Sequence, residues 1–135
     1  MGCLSAAAEN VYLYWGENIP QEELFDIIGT NESYLVLDAR KRGFNANIFR
    51  ATQNELNQII YENNTPIILK IVSPSSPTAA HAIIMTGYDN ITKEITCISN
   101  GVGKDLKMSY SKLLSLSFNS SNPEKQISIM ICQRM

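Results

Sequence analysis

The sequence predicts a single α+β domain in which N-terminal helices pack on a C-terminal antiparallel β-sheet. Three observations carry this expectation. Apolar residues recur at spacings of three and four through most of the first half, which is helical periodicity. From Pro66 onward the apolar runs become β-branched and partly alternating, which is strand character. No repeat, low-complexity run or linker divides the 135 residues, a length that suits one core. Helices first and strands later is the α+β order, with the helices expected on one face of the sheet.

Ser5 to Trp15 reads as a helix, with Ala7, Ala8, Val11, Tyr12, Tyr14 and Trp15 as its apolar face and Gly16 as its stop. Pro20-Gln-Glu-Glu23 opens a second helix, with proline in the first turn and acids where the helix dipole favours them. Leu24, Phe25, Ile27 and Ile28 are expected to face the core, and Gly29 to end that helix. Ser33 is the expected cap of a third helix, Tyr34 to Arg42, ending at Gly43. Asn45 to Phe49 reads as a short strand. Thr52 and Glu55 have capping-box spacing, opening a helix to about Tyr61 with Leu56, Ile59 and Ile60 inward.

In the second half, Pro66 to Val72 and Ala80 to Tyr88 read as strands, separated by a Ser73-Pro-Ser-Ser-Pro77 loop. Asp89 to Lys93 reads as a hairpin turn into the alternating strand Glu94 to Ser99. Leu106 to Met108 adds a short strand, and Ser109 caps a helix carrying Leu113, Leu114 and Leu116. A second loop surrounds Asn119-Ser-Ser-Asn-Pro123. Ile127, Ile129 and Ile131 alternate in a final strand, Gln126 to Cys132.

Composition excludes several classes. Lys plus Arg is 11 and Asp plus Glu is 13, so the net charge of −2 predicts no nucleic-acid partner. No apolar run approaches the roughly 20 residues that span a bilayer, so no stable membrane insertion is expected. No basic region followed by an apolar stretch opens the chain, and a cytoplasmic location is the expectation. Met1-Gly2-Cys3 resembles a lipidation signal, but Ala6 stands where Ser or Thr belongs. Asn31-Glu-Ser33, Asn90-Ile-Thr92 and Asn119-Ser-Ser121 match glycosylation acceptors and, without a leader, read as chance.

The chain has 3 Cys and 1 His, too few and too scattered for a disulfide framework. No Cys-x-x-Cys pair exists to build a zinc site, and no nucleotide motif appears, so no cofactor is expected. Cys97 and Cys132 sit in apolar strands and read as small core residues. Cys3 stands immediately before a helix, where free N–H groups and the macrodipole favour a negatively charged sulfur. Any imidazole chemistry must run through His81, which by alternation shares a face with Ile83 and Met85. A Cys–His couple needs a third group to orient the ring. Asn100, closing the next strand, is placed for that, although Asn100-Gly101 is also a common turn pair. Asp89 lies at the far end of the His81 strand.

The order Cys, helix, His on a strand, then Asn on the next strand resembles the papain-like cysteine peptidases. More specifically, it resembles the peptidase domains that process double-glycine leaders of bacteriocins, and their free-standing relatives. The resembling segments are Gly2-Cys-Leu-Ser-Ala-Ala-Ala8, Tyr14-Trp-Gly-Glu-Asn-Ile-Pro-Gln-Glu-Glu-Leu24 and Leu35-Val-Leu-Asp-Ala-Arg-Lys-Arg-Gly-Phe-Asn-Ala46. Asn64-Thr-Pro-Ile-Ile-Leu69, His81-Ala-Ile-Ile-Met-Thr-Gly-Tyr-Asp89, Asn100-Gly-Val-Gly103 and Met108-Ser-Tyr-Ser-Lys-Leu-Leu114 extend the likeness over nearly the whole length.

The resemblance implies a papain-like fold over residues 1–135, a peptide substrate with small residues such as Gly-Gly beside the cut, and a Cys3, His81, Asn100 triad. Cys3 would be nucleophile, His81 general base and acid, and Asn100 the orienting residue. Two departures are visible. The leader-processing family usually has Asp-Pro where this chain has Asn100-Gly101. Its oxyanion-binding Gln precedes the nucleophile by several residues, and only Met1 and Gly2 precede Cys3 here. Losing such a donor costs about 10²–10³-fold in rate. A peptide-binding domain of the same fold and a thiol-dependent acyl transferase are therefore the alternatives to a peptidase.

Overall fold

The computed structural model describes residues 2–73, 75–99, 105–119 and 121–133. Their elements run α1 (Cys3–Tyr14), α2 (Gln21–Ile28), α3 (Glu32–Lys41), β1 (Asn45–Ala51), α4 (Gln53–Asn63), β2 (Ile67–Ser73), β3 (Ser76–Asp89), β4 (Glu94–Ser99), β5 (Asp105–Ser109), α5 (Tyr110–Ser115) and β6 (Gln126–Cys132). The strands form one sheet in the order β1-β6-β2-β3-β4-β5, with every pairing antiparallel. The α+β expectation holds, with helices leading and an antiparallel sheet dominating the second half.

Two differences concern the core. One-sided packing is the sequence expectation, but both sheet faces are covered. Leu4, Ala8, Val11, Leu24 and Leu35 of α1–α3 bury Ile68, Ala82, Ile84 and Ile129 on one face. Leu56 of α4 and Leu113 of α5 bury Ile67, Leu69, Ile71, Ile83 and Met85 on the other. The cause is visible in β2 and β3, whose successive residues are apolar, so both faces need cover. Phe25 and Ile27 do not reach the core. They are 42% and 44% exposed, while Leu24 and Ile28, one helical turn apart, are buried.

Local signals decide the element ends. Thr52 and Glu55 form the expected capping box. Asp89 Oδ1 accepts from the N–H groups of Ile91 and Thr92, closing the β3–β4 turn. α3 is capped by Asn31 rather than Ser33: the Asn31 side chain accepts from the N–H groups of Ser33 and Tyr34. That moves the helix start to Glu32. The expected Ser/Pro loop shrinks, because Val72 pairs with Ala80 and Ser73 with Ser76. His81 consequently lies inside a 14-residue strand instead of at its start.

The helix that begins at Cys3 is held at its other end. Tyr12 Oη donates to Asp38 Oδ2 at 2.7 Å, and Arg42 Nε donates to the same oxygen at 2.9 Å. The Arg42 guanidinium also stands 5.5 Å from the Tyr12 ring centre. Trp15 Nε1 donates to the Ile131 carbonyl at 2.9 Å, tying the end of α1 to β6.

Burial, and then the hydrogen bond to Asp38, hold the Tyr12 phenol far above its ordinary titration range. Tyr12→Phe is expected to cost about 1.5–3 kcal/mol near neutral pH, the worth of a hydrogen bond to a charged group. A raised folded-state pKa contributes stability below the unfolded value of about 10 and loses it as pH rises beyond. The gap between wild type and Tyr12→Phe should therefore narrow above about pH 10. Urea unfolding across pH measures both, and a constant gap would rule this account out.

Candidate active site

Cys3 is the first helical residue of α1. The Gly2 carbonyl accepts from Ala6 N–H at 2.9 Å and from Ser5 Oγ at 3.1 Å, while no side chain caps this helix end. The N–H groups of the first turn thus stay available beside the thiol. Small residues let α1 approach the sheet closely. Ala7 and Asn10 meet Ala82, Ile84 and Ile98 across a gap of only about 10 Å³.

His81 stands on β3, opposite Ile71 of β2. Cys3 and His81 line the same cleft of about 400 Å³, together with Ile68, Ala80 and Ala82. The two residues singled out from sequence are thus brought to one cavity. They are not hydrogen-bonded to each other: the imidazole Nε2 is paired instead with Ser99 Oγ, 3.2 Å away. His81 also borders a second cavity of about 470 Å³, shared with Ile83, Cys97, Ser99 and Lys107. Ala82 and Ile84 face the core that Cys3 packs against, whereas Ile83 and Met85 face the other. By alternation His81 shares the face of Ile83, and it borders the Cys3 cleft beside Ala80 and Ala82. Asn100, the expected orienting residue, lies outside the described residues.

Three further features have no sign in the sequence. Ser99 is the imidazole's partner, although nothing in a Ser at a strand end announces that role. Lys70 Nζ and Glu32 Oε1 form an ion pair at 2.7 Å, and both residues line the cleft with Cys3. The Lys70 ammonium also sits 4.5 Å from the Phe118 ring centre. Gln21 Nε2 reaches the Gly2 carbonyl at 3.4 Å, but it lines a separate groove with Ser5 and Phe25. A hydrophobic period finds helix faces; it does not find polar pairs between elements distant in sequence.

The other cysteines differ from Cys3. Cys97 is buried in β4, and burial pushes its thiol up. Cys132 ends β6 half-buried rather than in the core, and burial raises its thiol as well. Among the described residues, no cluster of His, Cys, Asp and Glu is arranged to hold a metal ion. No described helix is long and apolar enough to cross a membrane.

Cys3 at an uncapped helix start and His81 on a central strand thus line one cleft. The chain belongs to the Peptidase_C39 like family, whose pattern matches residues 1–101. Among solved structures it is similar to the peptidase domain of Streptococcus mutans ComA. That likeness has 15% identity, covers 73% of this chain and 71% of that one, and has a TM-score of 0.45. No curated protein sequence matches the chain.

Burial lowers the His81 pKa from its ordinary 6.5. A depressed folded-state pKa favours the neutral ring; its stability contribution is present above the unfolded value and lost as pH falls. Because His81 is the 1 histidine of the chain, its NMR resonances are unambiguous. The chemical-shift titration should show a midpoint below about 6.5, and a midpoint at or above it would contradict the burial seen here.

Proposed function

We propose that the chain is a cysteine peptidase whose nucleophile is Cys3 and whose general base and acid is His81. The observation that carries this is the shared cleft: in a member of a peptidase family, Cys3 and the single histidine, His81, line one cavity. The missing Cys3–His81 hydrogen bond is compatible with it, since catalytic hydrogen bonds are often long until substrate binds.

His81 takes the Cys3 proton, and the sulfur attacks the scissile carbonyl to form a tetrahedral adduct. Collapse breaks the C–N bond as His81 passes its proton to the leaving amine. Water then attacks the thioester, His81 accepts its proton, and the C–S bond breaks to release the acid and restore the thiol. The third, orienting position is carried over to Asn100 by the likeness to papain-like peptidases. An Asn there holds the ring by hydrogen bonding and adds no charge to steady an imidazolium. The same likeness supports peptides with small residues, such as Gly-Gly, beside the cut. Residues 1–135 act together as one domain, because the helices on both faces share a single sheet.

Peptides containing Gly-Gly, incubated with the protein and read by mass spectrometry, provide the test. Cleavage is expected with wild type and should fall by at least about 10³-fold in Cys3→Ala and in His81→Ala. Cleavage that survives Cys3→Ala overturns the assignment. Binding without cleavage by wild type would make this a peptide-binding domain instead.

A further inference from the structure

We propose that Ser99 is a positioning residue, which accepts a hydrogen bond from His81 Nε2–H and so leaves the ring's Nδ1 lone pair for the Cys3 thiol. The proposal rests on the Cys3–His81 part of the peptidase reading above and gives the orienting role to Ser99 in place of Asn100.

The placement follows from strand register. Ile83 of β3 is paired with Ser99 of β4. His81 lies two residues before Ile83 on the same strand face, so Ser99 is its diagonal neighbour across the pair, within reach of a long side chain. Nε2 is the imidazole atom farthest from the backbone, and it meets Ser99 Oγ at 3.2 Å. Ser99 and His81 border one cavity, and Cys3 and His81 line another. His81 is the residue common to the two. An oxygen that accepts from Nε2–H fixes that tautomer, and only then is Nδ1 a proton acceptor. The resemblance carries this contact over to Asn100; among the described residues the partner of the ring is Ser99.

The titratable groups that border the two cavities beside His81 are Cys3, Glu32, Lys70, Cys97 and Lys107, and after burial the charge of the N-terminal amine also lowers the His81 pKa. None of them is hydrogen-bonded to the ring, so a change in His81 titration on altering Ser99 reports on Ser99 itself.

Four variants of the full chain test the proposal: Ser99→Ala, Ser99→Thr, Asn100→Ala and His81→Ala. Two readouts are used, the NMR titration of the single histidine and the rate at which iodoacetamide labels Cys3, located by peptide mass spectrometry. Ser99→Ala should slow Cys3 labelling roughly tenfold, the worth of one neutral hydrogen bond. It should also lower the His81 midpoint, because an imidazolium loses an acceptor. Ser99→Thr restores the hydroxyl and should restore both readouts. Asn100→Ala should leave the midpoint unmoved. A midpoint that stays or rises in Ser99→Ala overturns the proposal. So does an effect found in Asn100→Ala and absent from Ser99→Ala; in either case slow labelling in His81→Ala keeps the peptidase reading intact. If His81→Ala labels as fast as wild type, thiol and imidazole are uncoupled, and both readings fall.

Discussion

The candidate site depends on a helix being held at the end away from Cys3. Tyr12 and Arg42 both reach one oxygen of Asp38, a carboxylate almost fully removed from solvent. Such a group is costly to bury alone and tolerable only when hydrogen-bonded and paired. Here the pairing joins α1 to the last turn of α3. Its value is geometric more than energetic, since buried pairs contribute little net stability while fixing one arrangement. Trp15 adds a second tie from α1 to β6. With the far end fixed, the start of α1 has one position over the sheet, and Cys3 occupies it.

The sheet supplies the other half of the constraint. β2 and β3 are buried on both faces, so any slip of one residue would exchange the two cores. Register is thus strongly specified, and with it the position of His81 relative to Ile71, Ile83 and Ser99. A side chain on such a strand is held in place, because packing on both sides resists displacement. The Lys70–Glu32 pair in the cleft has a different character. Each side chain is about a quarter exposed, at 29% and 24%, so the pair contributes modestly to stability and chiefly gives the cleft wall a polar patch.

Much of the fold was legible in the sequence, for local reasons. The capping box at Thr52 and Glu55, the turn after Asp89 and the glycine stop at Gly29 are made by residues within a few positions of one another. Misreadings arose where a choice was made at longer range. Asn31 and Ser33 are both good caps, and the start of α3 at Glu32 selected Asn31. Phe25 and Ile27 look like core residues until α2 docks by Leu24 and Ile28 alone. The Ser/Pro segment reads as a loop until β2 offers partners that draw the strand back to Ser76.

For the site, the sequence by itself determined which atoms are available. One histidine and one cysteine at a helix start leave a single thiol–imidazole combination, because the remaining thiols lie in strands. Composition and local periodicity carry that much, since they depend only on near neighbours along the chain. Only the tertiary structure decided which face His81 adjoins, that Ser99 meets its Nε2, and that Glu32 and Lys70 share the cleft with Cys3. The His81–Ser99 and Glu32–Lys70 pairs join residues 18 and 38 positions apart, and no pattern of spacing specifies them. They exist because sheet register and helix docking, set by burying two cores at once, place the strands before any polar pair can form.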